Sequence, residues 1–140
     1  MSDAVVQIED LTRTFGATVA VDGLKLTVRR GEVFGFLGRN GAGKTTTIKT
    51  LLGLLRPTNG TIRVLGLDPV GHGSDLKQRI GYVSEMPQLY PWMRVREMVR
   101  FTRSFYQHWN DVHVARLLEQ FRLDPECKVQ NLSRGMGAQL

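Results

Sequence analysis

The sequence holds 140 residues, 41% of them hydrophobic and 23% charged, with a net charge of +6 from 19 basic and 13 acidic side chains. That composition is globular and of about one domain's length, which excludes a largely disordered chain. Cys127 is the only cysteine, so neither an internal disulfide nor a cysteine-built metal site exists, and no apolar run reaches the ~18 residues of a membrane helix.

The positive balance suits a polyphosphate, a nucleic acid or an anionic surface as partner. Its densest part, Arg94, Arg96, Arg100 and Arg103, reads equally as the solvated face of a helix. His72, His108 and His113 are dispersed and have no ligand-like neighbour at short spacing, so surface or loop positions are expected. The opening MSDAVVQIED has neither a basic start nor an apolar signal core.

In chain order, residues 5–11 alternate partly and predict a strand, and residues 12–18 predict a turn around Phe15-Gly16. Residues 19–28 predict a second strand, broken at Asp22-Gly23. Residues 32–37, EVFGFL, have the short apolar run of a buried strand, and a glycine-rich loop follows. Residues 44–55 predict a helix with Ile48, Leu51, Leu52 and Leu55 on one face, ended by Gly53, Pro57 and Gly60. TIRVL at 61–65 and IGYVS at 80–84 predict further strands, with a short helical turn at 76–79 between them. A loop rich in proline and aromatics at 87–92 leads to helices over 95–106 and 112–121, the second ended by Asp124-Pro125. Strands on both sides of the loop–helix unit predict an α/β layout.

Gly38-Arg39-Asn40-Gly41-Ala42-Gly43-Lys44-Thr45 satisfies G-x-x-x-x-G-K-[ST] at every position. The glycines let successive backbone N–H groups turn inward toward phosphate oxygens. The helix that follows adds the positive end of its dipole. Lys44 is placed to reach the β- and γ-phosphates, and the Thr45 hydroxyl is a hard oxygen ligand for magnesium. Thr46, next along, completes the expected contacts. The motif therefore predicts a site for ATP with Mg2+.

The longer stretch FLGRNGAGKTTTIKTLLGLLRPTNGTIRVLGLDP resembles the nucleotide-binding domain of ABC transporters. LSRGM at 132–136 resembles that family's signature sequence, and the two occur in the family's order. The resemblance covers nearly the whole chain and points to the exporter-like branch. It implies an α/β, P-loop NTPase-like core with an antiparallel β subdomain over residues 1–86, and a helical subdomain over 87–140 that ends at the signature. It also implies roles. Phe15 stands where the family places an aromatic against adenine, although a Phe packed onto the core fits the sequence as well. Val21 would flank the ribose and base. Ser133 and Gly135 would contact, in trans, the nucleotide of a second domain paired head to tail. Glu85 replaces the family's usual Gln; it would act as a catalytic-position sensor and magnesium ligand, or stand as an ordinary surface Glu. Arg134 and Met136 replace the usual Gly and Gln of the signature. A membrane-spanning subunit would dock on the apolar stretch at 87–109, placing the protein at the cytoplasmic face of a membrane.

The family continues past the position of Leu140 with an apolar strand ending in Asp-Glu and a switch histidine. Neither occurs in these residues. The sequence therefore predicts a C-terminally truncated form that binds ATP, hydrolyses it poorly and leaves apolar surface exposed where a parallel strand would pair. Two other readings stay open. One is a soluble ABC-type ATPase acting on nucleic acid or ribosomes, against which stands the lack of a long coiled-coil insertion or a dense basic stripe. The other is a non-catalytic nucleotide-binding fragment.

Overall fold

The computed structural model describes residues 3–84 and 87–140. Contacts divide the chain into two compact units, the first reaching Ile80 and the second starting at Gly81.

The first unit is built on an antiparallel sheet of β1 (Ala4–Phe15), β2 (Thr18–Arg29) and β3 (Asn59–Val64), with β1 in the middle. Residues 12–15 continue β1 instead of turning, and the hairpin closes over Gly16-Ala17 with Phe15 opposite Thr18. Gly16 takes φ 57°, which a side chain would resist. Asp22-Gly23 does not end β2. The Gly23 N–H donates to Thr12 Oγ1 at 3.1 Å, so the local irregularity is absorbed within the ladder. On β3 the alternation is plain: Ile62 and Val64 are buried while Thr61 and Arg63 are exposed. Ile8, Leu11, Val21, Ile62, Val64 and Leu76 form the core.

Helix α1 (Lys44–Leu51) stops earlier than the apolar spacing predicts. Gly53 adopts φ 69°, its N–H donates to the Thr50 carbonyl at 3.0 Å, and the Leu54 N–H returns to the Lys49 carbonyl at 2.9 Å. A Cβ on Gly53 would lie 2.3 Å from the Pro69 carbonyl oxygen, so this glycine ends the helix against the following segment. The face that α1 buries carries Thr47 and Thr50, not the leucine stripe. Their hydroxyls donate to the Gly43 and Thr46 carbonyls, which satisfies them without outside partners. The short α2 (Gly73–Lys77) inserts Leu76 into the core.

Two expected strands are absent. Residues 32–37 form no ladder, and Val33 and Leu37 are almost wholly exposed. Residues 80–84 likewise form no ladder, and Tyr82 and Val83 are exposed. Their side chains suit a strand covered on both faces, but neither segment joins the described sheet; Glu32 is tied to the end of β2, its N–H donating to the Arg29 carbonyl at 3.3 Å and its Oε2 accepting the Arg29 N–H at 2.7 Å. Glu85 lies outside the described residues.

The second unit contains α3 (Val95–Arg103), α4 (Asp111–Gln120), a 3-10 turn (Val129–Asn131) and α5 (Arg134–Gln139). Glu97 Oε2 accepts the Arg94 N–H at 2.8 Å at the start of α3, and Asn110 Oδ1 accepts the His113 N–H at 2.9 Å at the start of α4. Helix α4 ends before Asp124-Pro125 is reached. Arg122 enters the left-handed region at φ 54°, and the Leu123 N–H closes onto the Leu118 carbonyl at 2.8 Å. The segment after α4 is stitched to the start of α3 by Val95 N–H to Cys127 O at 3.0 Å and Val129 N–H to Met93 O at 2.9 Å. Val95, Met98, Leu123 and Val129 are the buried residues behind that seam. In the arginine cluster, Arg94 and Arg96 meet Glu126, and Arg103 meets Asp111 at 3.1 Å. These are exposed pairs on a solvated face and add little stability.

Candidate phosphate-binding site

The loop at 38–43 is shaped by two left-handed glycines, Gly41 at φ 84° and Gly43 at φ 81°. The Ala42 N–H turns back onto the Arg39 carbonyl at 3.1 Å, which closes the curl. Gly43 does more than turn the chain. A Cβ there would lie 2.3 Å from the Ala20 carbonyl oxygen and 2.9 Å from Val21 Cγ2, so only glycine lets the loop rest on β2. Its own carbonyl accepts the Thr47 N–H at 2.8 Å and starts α1.

The electrostatics of the loop mouth follow from this start. Helix α1 has no acidic residue in its first turn. Among the described residues the amides of Lys44, Thr45 and Thr46 have no acceptor. Lys44 folds its ammonium back across the loop, donating to the Gly38 and Arg39 carbonyls at 2.6 and 2.9 Å. Three unspent N–H donors, a helix start and a cation beside them form an arrangement that attracts anions. The Thr45 side chain is exposed next to them and offers one hard oxygen. Among the described residues no group of three or more His, Cys, Asp or Glu side chains could hold a metal by itself.

Two more of the expected residues lie on the hairpin, and one of them meets the loop. Val21 packs at Gly43, and Phe15 lies at the end of β1, 45% exposed. The pairing Arg13↔Val21 followed by Thr14↔Val19 leaves Ala20 as an extra residue on β2, and this bulge aims its carbonyl at the loop. Ser133 and Gly135 belong to the second unit. Ser133 caps α5, its Oγ accepting the Met136 N–H at 3.2 Å, and a Cβ on Gly135 would lie 4.0 Å from the same Oγ. Arg13 was not anticipated from the sequence. Its guanidinium carbon lies 4.4 Å from the centre of the Phe15 ring. Reading residues 12–18 as a turn hid the relation, because only in a strand do residues two apart share a face.

Residues 21–140 match the profile of the ABC transporter family. The chain belongs to that family. Over 138 residues it is 36% identical to the bacitracin transport ATP-binding protein BcrA of Bacillus licheniformis, covering 97% of this chain and 45% of that protein. Over 145 residues it is 39% identical to the Nod factor export ATP-binding protein I of Burkholderia lata, covering 100% of this chain and 48% of the relative. A solved ATP-binding subunit of an ABC transporter superposes with a TM-score of 0.85 at 28% identity, over 96% of this chain and 58% of that one. The chain thus spans about half the length of the curated relatives it matches. Its fold is that of the family's ATP-binding subunits, an α/β P-loop core with an antiparallel β subdomain and helices. No described helix is long and apolar enough to cross a membrane.

Proposed function

We propose that this ABC chain binds ATP with magnesium as the ATP-binding component of a transporter of the export type. The observation that carries the reading is the row of unspent amides at Lys44, Thr45 and Thr46 beside the Lys44 ammonium. Gly38, Arg39, Asn40, Gly41, Ala42 and Gly43 would wrap the phosphate chain, and Lys44 would exchange its two loop carbonyls for phosphate oxygens. Thr45 and Glu85 would ligate magnesium, and Glu85 would sense the γ-phosphate. The metal's chemistry would be to neutralise charge on the phosphates. Phe15 would stack on the base, with Val21 beside it.

Coupling of ATP binding and hydrolysis to transport is proposed for the whole transporter; residues 1–140 alone would bind ATP and turn it over slowly, below ~1 s⁻¹. Residues 1–86 would serve as the nucleotide-binding core and 87–140 as the helical subdomain. Ser133 and Gly135 would face the nucleotide of a second domain paired head to tail. A membrane-spanning subunit would dock on the aromatic surface of the helical subdomain, where Tyr90 meets Phe101 at 5.3 Å and Trp92 at 5.1 Å between ring centres. Trp92 and Phe105 there are largely exposed. That partnership would hold the protein at the cytoplasmic face of the membrane. Nucleic acid is not a proposed partner.

The test is calorimetric titration of the purified chain with ATP and magnesium, against Lys44→Ala. Loss of one charge-assisted contact of about 1.5–3 kcal/mol should weaken binding about 10- to 100-fold. Equal affinity of the two proteins for ATP would remove the P-loop from the function.

A further inference from the structure

Arg13 is an unusual arginine in this chain. Its Nε is buried, and no described acceptor takes its proton. None of the ion pairs among the described residues includes it, and the nearby Asp10 is engaged by Lys25 at 3.1 Å. What holds the guanidinium is the Phe15 ring, 4.4 Å away at the centroid. A guanidinium over an aromatic face is attracted by the ring's negative face, and the two planes also pack. One face of Phe15 is thereby occupied from within the protein. The ring as a whole remains 45% exposed.

The location gives this contact a purpose. Arg13 is paired across the hairpin with Val21, and Val21 is the side chain that Gly43 of the phosphate loop rests on. Arg13, Phe15 and the loop are therefore linked through two adjoining contacts on one lobe. An unsupported Phe at a strand end next to a two-residue turn would sample several rotamers, and ordering it against a base would oppose binding. Arg13 has already removed that freedom.

We propose that Arg13 is a positioning residue for the nucleotide base: its guanidinium backs the Phe15 ring from one side so that the other side is presented as a flat, preset stacking platform. The order of layers would be base, Phe15, Arg13. The charge on Arg13 also draws electron density from the ring, which favours an electron-rich purine on the open face. This inference rests on the ATP-binding reading above, and it concerns the base alone and not the phosphates.

The experiment therefore separates the two. The purified 140-residue chain and its Arg13→Ala, Arg13→Lys and Phe15→Ala variants are titrated with ATP and with inorganic tripolyphosphate, each with magnesium. Arg13→Ala should bind ATP about two- to fivefold more weakly, the size of an exposed cation–π contact, with tripolyphosphate affinity unchanged. Unchanged tripolyphosphate binding also shows that the variant is folded around its loop. Arg13→Lys keeps the charge without the flat face and should fall between. In the Phe15→Ala background, adding Arg13→Ala should cost nothing more, because the two act as one unit. The proposal is overturned if Arg13→Ala weakens tripolyphosphate as much as ATP, since Arg13 would then serve the phosphates or the fold. It is overturned equally if the Arg13 effect persists in full without Phe15, or if ATP affinity does not change. Wild-type protein that binds tripolyphosphate as tightly as ATP would sink the base platform and leave the phosphate site standing. Wild-type protein that binds neither would sink both.

Discussion

The β1–β2–β3 sheet and the segment at 32–37 have similar sequence credentials and opposite fates. Both are rich in β-branched and aromatic residues, yet the sheet buries Leu11 completely while Val33 of EVFGFL is entirely exposed. The difference is partnership. β1 has a ladder on each edge, whereas no described strand pairs with 32–37. Strand propensity measures how well side chains fit a pleated, covered surface, and it contributes little where that surface is not supplied. The same contrast applies to 80–84 in relation to β3. An apolar segment of this kind is a surface that seeks a partner strand or promotes association.

The contrast is open to measurement in the 140-residue chain. The largest effect belongs to the centre of the sheet: Leu11→Ala should lower stability by about 2–5 kcal/mol in urea unfolding of the first unit, because a fully buried side chain leaves a cavity. A loss below ~1 kcal/mol would mean that the sheet is no better packed than the segment. Amide hydrogen exchange comes next. Amides of β1 should be protected at least about 100-fold more than those of residues 33–37, in keeping with their different ladders. Comparable protection would reveal a pairing that the structure does not contain.

Gly43→Ala is expected to destabilise by about 2 kcal/mol, through its left-handed φ of 81° and the Ala20 carbonyl behind it. It should also weaken ATP binding, since the loop could no longer rest on β2. A stable variant with intact binding would show that the junction between sheet and loop is looser than its geometry. The smallest effect is Val33→Lys, which should change stability by less than about 0.5 kcal/mol and reduce self-association seen by sedimentation. A loss of several kcal/mol would put Val33 in a core and erase the contrast.

The candidate site was legible to unequal degrees. The loop motif could be read directly, because its eight residues are contiguous, and the structure shows the left-handed turns at Gly41 and Gly43 and the Lys44 ammonium folded across the loop. The cap that Asn110 gives α4 was not read from the sequence, and α1 ended at a glycine whose necessity comes from Pro69 sixteen residues away. The burial of Thr47 and Thr50 was missed for a related reason. Their hydroxyls are satisfied by the preceding turn, so two polar side chains could face the interior while the leucines nearby stayed partly exposed.

The loop motif, the family resemblance and a strand over most of β3 follow from residues close together in the chain, so no fold was needed to read them. Only the tertiary structure decided which apolar runs became strands, because a strand exists through the backbone groups of its neighbours. It also decided that Arg13 lies under Phe15 and that Ala20 meets Gly43. Those contacts arise from a hairpin register and a bulge, and register is set by how whole strands bury their faces and by the turn that joins them.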